Sequence, residues 1–170
     1  MTCKLAVSKD FFTINKKNKW ITNELSRGRV HLMRSSNECI ITSSKTIIKD
    51  NPRLSCRIDG LYQRSPFIII LDRKLKMHTN LKIISKINRK RVIIFYNKIN
   101  KDKIKLLKKL KIKTHKISLD STGNLDLKES LIKAKELGFS RIFIEVTLNI
   151  KKVIYLSLLV NWQPLRIFIQ

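Results

Sequence analysis

Arginine side chains, Arg34 and Arg57 among them, are candidates to hold an anion in this 170-residue chain. Arginine is a planar fork of fixed donors, which grips carboxylates and phosphates in two-pronged fashion. Taken alone, Arg34 is also just a basic group at a helix end, where the helix dipole favours a cation. Thr46 and Asp50 offer a hydroxyl and a carboxylate, but alone they read as helix-cap residues, and Asp50-Asn51-Pro52 as a turn. Trp20 alone reads as a core anchor. His31, His78 and His115 have no matching partners and are read as structural or surface groups. Cys3, Cys39 and Cys56 are odd in number and lack C-x-x-C spacing, so neither a disulfide framework nor a zinc site follows. A His-x-Glu followed by Pro-Cys-x-x-Cys is missing too, which removes the zinc-hydroxide chemistry of a deaminase.

The elements that must position these groups alternate. Lys4 to Ser8 reads as a short strand. A helix follows, with Asn23 as N-cap and Leu25, Val30, Leu32 and Met33 as its apolar positions. Glu38 to Thr42 is a β-rich run, and Thr46 to Asp50 one helical turn stopped near Pro52. The continuously apolar stretch from Pro66 to Asp72 suits a strand buried on both faces. Arg91 to Tyr96 is a strand, and Asp102 to Leu110 an amphipathic helix carried by Ile104, Leu107 and Leu110. Lys113 to Leu119 alternates like a strand. Asp126 caps a helix, with Glu129 at the reciprocal position of a capping box and Gly138 just past its end. Arg141 to Glu145 is a further buried strand. Strands separated by helices imply crossover units and a mostly parallel sheet, which binds ligands beyond the carboxyl ends of its strands.

Several segments form an ordered series: Lys4-Leu5-Ala6-x-Ser8-x-Asp10, Lys19-Trp20-Ile21-Thr22, a helix ending in Arg34, Thr42 through Leu54, and Arg57. From about Lys4 to Glu145 this series resembles the reductase domain of the bifunctional riboflavin-biosynthesis deaminase/reductase family, which writes the segments as K-L-A-x-S-x-D-G, W-I-T and G-x-x-T-x-x-x-D-x-P-x-L-x-x-R. The resemblance implies a dihydrofolate-reductase-like α/β fold with a mostly parallel central sheet flanked by helices. It also implies hydride transfer from NADPH to 5-amino-6-(5-phosphoribosylamino)uracil, giving the ribitylamino product. By the same resemblance Asn18, Arg34, Leu54, Arg57 and Glu145 contact the phosphorylated ribosylaminopyrimidine, while Ala6, Trp20, Thr46 and Asp50 contact NADPH. Family members commonly pair, so a homodimer is implied as well.

The chain departs from the family at two places. Asp10 is followed by Phe11 instead of glycine, in a segment slightly short of the family's. After Glu145 the family continues with two glycines, a turn whose amides receive the cofactor phosphates. Here Val146 and Thr147 stand instead, and their branched side chains crowd a pyrophosphate. Residues 1–150 are therefore read as a reductase-like domain, C-terminally truncated, and residues 151–170 as a divergent tail. That tail is either a shifted or diverged end, or an edge strand around Leu165 to Ile169.

Composition bounds the alternatives. The formal charge is +25, from 37 Lys+Arg against 12 Asp+Glu. A charge of this size points to anionic partners. It is spread along the chain, however, with lysine travelling beside Ile and Asn, rather than clustered among stacking aromatics. A basic nucleic-acid-binding module is accordingly the weakest of three readings, behind an active reductase and a degenerate, inactive relative. The apolar run from Val153 to Val160 falls far short of the ~20 residues of a membrane span. The amino-terminal residues lack the apolar core of a signal peptide. The expectation is a cytoplasmic protein.

Overall fold

Ile68, Ile69 and Ile70 are each fully buried, so the apolar run from Pro66 to Asp72 lies under a layer on both faces of its strand. The computed structural model describes residues 2–5, 24–86, 88–145 and 166–169. Its elements are β1 (Thr2–Leu5), α1 (Glu24–Ser36), β2 (Cys39–Ser43), α2 (Ser44–Asp50), β3 (Phe67–Leu71), β4 (Val92–Tyr96), α3 (Lys101–Lys109), β5 (Lys113–Lys116), α4 (Leu127–Glu136), β6 (Ile142–Glu145) and β7 (Arg166–Ile169). The sheet order is β5-β4-β3-β2-β6-β1-β7, and every neighbouring pair is parallel. This is the α/β architecture expected, a parallel sheet flanked by helices.

Strand side chains alternate between faces, and the two sets build two cores. Cys39, Ile41, Ile69, Ile93, Phe95, Ile142 and Ile144 pack under Leu127, Leu131 and Ala134 of α4. Ile40, Ile68, Ile70, Val92, Ile94 and Phe143 face the other way, onto Val30 and Met33 of α1, Ile47 of α2 and Leu107 of α3.

Local details depart from expectation where tertiary partners decide. Val30 and Met33 anchor α1, but Leu25 and Leu32 are 84% and 53% exposed, so only half of the expected apolar face is used by the core. Helix α3 begins at Lys101, one residue before the Asp102 expected, and is capped by Asn100, whose side chain accepts Lys103 N–H. Asp126 caps α4 as expected, accepting Glu129 N–H at 2.9 Å. Glu129 does not reach back; its carboxylate accepts Ser118 N–H and Ser118 Oγ–H, tying α4 to the chain leaving β5. The capping box is therefore half formed. Strand β1 covers Thr2–Leu5, earlier than the Lys4–Ser8 expected, with Ala6 onward outside the described residues. Asn23 lies there too. The edge-strand alternative for the tail agrees with β7, which pairs Arg166–Ile169 in parallel with β1. Among the described residues no helix is long and apolar enough to cross a membrane.

Candidate active site

The strand order reverses at β2. From β2 the chain proceeds to β3 on one side, while β6 lies against its other side and β7 lies beyond β1. Such a reversal opens a crevice beyond the carboxyl ends of the two central strands. Here those ends are Thr42-Ser43 of β2 and Glu145 of β6. Ile41 pairs with Ile144 and Thr42 with Ile70, which sets Thr42 alongside Glu145. By the alternation of the strands, Thr42 and Glu145 share the face of Ile40 and Phe143, beneath α1.

Helix α1 delivers Arg34 to this edge from its last turn. Arg34 is 9% exposed, yet its donors are used. Nη2 donates to the Glu145 carboxylate at 2.9 and 3.0 Å, Nε donates to it at 3.2 Å, and Nη1 donates to the Ser55 carbonyl at 3.3 Å. This two-pronged pair joins residues 111 apart in sequence, and it holds the carboxylate at the mouth of the crevice.

The segment after α2 closes on the same pair. Asn51 ends α2 in the left-handed region (φ 42°), and Leu54, 5% exposed, has φ 51°. A branched residue there is strained, and packing must hold it. Leu54 does pack into the core under α1. Arg57 follows, exposed, with its backbone N–H donated to His31 Nδ1 at 3.2 Å. Burial depresses the basicity of His31, and the charges of Arg34 and Arg57 depress it further. The Ser55 backbone and Glu145 act in the opposite sense.

Thr46 and Asp50 both lie on α2, one turn apart. Helix α2 leaves β2 directly, capped by Ser43, whose hydroxyl accepts Thr46 N–H at 3.3 Å and sits 3.1 Å from the Thr46 hydroxyl. Thr46 is half-buried and Asp50 exposed. Of the expected substrate set, Arg34, Leu54, Glu145 and the backbone of Arg57 thus come together through shared partners, with Thr46 and Asp50 on the helix leaving the same sheet edge. Asn18, Ala6 and Trp20 lie outside the described residues.

Sequence reasoning missed two groups. His31 has a partner after all, and its one signal was its place three residues before Arg34 on a helix, hence on the same face. Thr42 is fully buried at the crevice edge, and among the described residues its hydroxyl has no hydrogen-bond partner. A lone threonine ending an apolar strand carries no signal by itself. The His115 ring lies edge-on to that of Phe95, with centroids 5.8 Å apart.

The sequence matches the RibD C-terminal domain over residues 1–164. The chain belongs to that family. It is 26% identical over 170 residues to the riboflavin biosynthesis protein RibD of Chlamydia trachomatis, covering 95% of this chain and 44% of that protein. It is 35% identical over 75 residues to the 5-amino-6-(5-phosphoribosylamino)uracil reductase of Buchnera aphidicola from Acyrthosiphon pisum, 44% of this chain and 35% of that one. The fold is similar to that of Acinetobacter baumannii RibD, with a TM-score of 0.72 at 22% identity over 95% of this chain and 42% of the other. The chain thus spans less than half the length of these relatives. The likeness establishes the dihydrofolate-reductase-like fold that the RibD resemblance implies.

Proposed function

We propose that this chain is a reductase of 5-amino-6-(5-phosphoribosylamino)uracil that uses NADPH. The carrying observation is the Arg34–Glu145 pair at the strand-order reversal, in a chain of the RibD C-terminal domain family. In this reading the Arg34 fork holds Glu145, whose carboxylate offers acceptors to the N–H groups of the pyrimidine. Arg57 is the exposed cation for the sugar phosphate. Leu54 supplies an apolar wall, and Asn18 a further hydrogen-bonding amide. The residues beside the crevice suit a polar dinucleotide: the Thr46 and Asp50 side chains stand on α2 as it leaves β2. Ala6 and Trp20 complete that set in the family resemblance. When bound, NADPH supplies the hydride, and the protein supplies orientation and electrostatics.

Loss of nicotinamide absorbance on mixing the protein with NADPH and the phosphorylated substrate is the expected result. Arg57→Ala should raise KM about ten-fold or more, as for the loss of a charged hydrogen bond. No turnover by folded protein would overturn the reading. A second reading, a non-catalytic relative, is favoured by Val146 and Thr147, which replace the family's glycine pair. It predicts no measurable NADPH binding by quenching of tryptophan fluorescence, and a micromolar Kd would exclude it.

A further inference from the structure

We infer that His31 is a positioning residue for the anion-binding segment: its imidazole, by accepting the Arg57 N–H, sets where the Arg57 guanidinium stands relative to the Arg34–Glu145 pair. The inference rests on the reading of this site as a phosphosugar pocket. Residues 51–57 have no regular structure of their own. Their backbone polar groups must therefore find partners elsewhere. Three successive residues do so. Ser55 offers its carbonyl to Arg34 Nη1 at 3.3 Å, Cys56 donates its N–H to Ser65 Oγ at 3.0 Å, and Arg57 donates its N–H to His31 Nδ1 at 3.2 Å. Leu54 and Cys56 are buried while Arg57 is exposed. The segment is thus fastened through its backbone and leaves the guanidinium pointing to solvent. His31 and Arg34 lie three apart on α1, so one helix face holds both tethers, and the spacing between the two arginines follows from helix geometry.

The tether needs a lone pair on Nδ1, which an imidazolium lacks. Among the described residues, the charged groups facing the ring are Arg34 from its own helix, Arg57 from the tethered segment and Glu145 from β6. Burial and the two cations outweigh the Ser55 carbonyl and Glu145, and so keep the ring neutral at neutral pH.

Hydrogen exchange at the Arg57 amide tests this without any ligand. In the whole chain, His31→Ala should speed exchange at Arg57 by about five-fold or more, as for the loss of one hydrogen bond. His31→Asn should keep protection, because its Oδ1 stands near the place of Nδ1 and cannot titrate. After correction for intrinsic rates, wild-type protection should fade below pH 6.5, the usual imidazole value, and that of His31→Asn should not. In turnover assays His31→Ala should raise KM about five-fold with kcat nearly unchanged, and His31→Asn should restore KM. Equal exchange at Arg57 in wild type and His31→Ala overturns the inference, as does an unchanged KM in an active enzyme. If no variant turns over while the His31-dependent protection persists, the reductase reading fails and the tether stands.

Discussion

A guanidinium as buried as that of Arg34 is stable only if its donors find acceptors and its charge a counter-charge. Glu145 and the Ser55 carbonyl meet that demand. Removing one partner strands the other. Glu145→Leu should therefore destabilise the fold by about 2–4 kcal/mol in urea unfolding, near the lower part of the range for buried pairs because both side chains keep some water contact. Arg34→Met combined with Glu145→Leu should recover much of that loss, as neither charge is then left alone. A double variant no more stable than Glu145→Leu would show that shape, not charge pairing, governs the site. The family resemblance had picked out both residues in the sequence. That they grip each other was not, since 111 residues separate them and only the sheet closes the gap. Leu54 shows the same limit: its left-handed backbone is imposed by packing, and nothing in a leucine announces it.

Helices and strands were easier to read, because periodicity and caps are local. The caps of α4 and β3's apolar run appear where the residues put them, while the reciprocal half of the capping box is lost to Ser118, a partner outside the helix. Leu25 and Leu32 are exposed because helical spacing specifies a stripe but not how much of it the sheet covers. At the end of the sheet away from the crevice, Glu38 joins the entries of β2 and β6. Its carboxylate accepts the N–H groups of Ser140 and Arg141, at 2.8 and 3.1 Å, and pairs with the Arg141 side chain. These backbone donors hold its pKa below the usual carboxylate value of 4.5, the Arg141 charge adding to them. A carboxylate depressed on folding stabilises above its unfolded value and loses that contribution as pH falls through the folded one. Glu38→Gln should therefore lower Tm at pH 7, and the gap to wild type should close steadily below pH 4.5. A gap that is independent of pH would mean that the tie acts through packing alone.

The molecule as a whole carries +25. Charge this far from zero repels itself in the compact state, and salt screens the repulsion within about 10 Å at 0.1 M. Thermal melts should show Tm rising between low salt and 0.3 M sodium chloride. A falling Tm would mean that attractive pairs such as Arg34–Glu145 dominate the electrostatics. Binding to DNA or heparin at low salt should vanish over the same range, as for a charge spread along the chain.

Local chemistry in the chain determined the alternation of strands and helices, the parallel α/β class, the caps and the family series from Lys4 to Glu145, because each depends on near neighbours or on an ordered pattern. The order of the strands was decided only in three dimensions. Placing β6 between β2 and β1 is a matter of which apolar faces cover one another, and that choice sets Thr42 beside Glu145, brings Arg34 onto the carboxylate and folds the Arg57 segment onto His31. No spacing along the chain encodes contacts that arise from strands packing side by side.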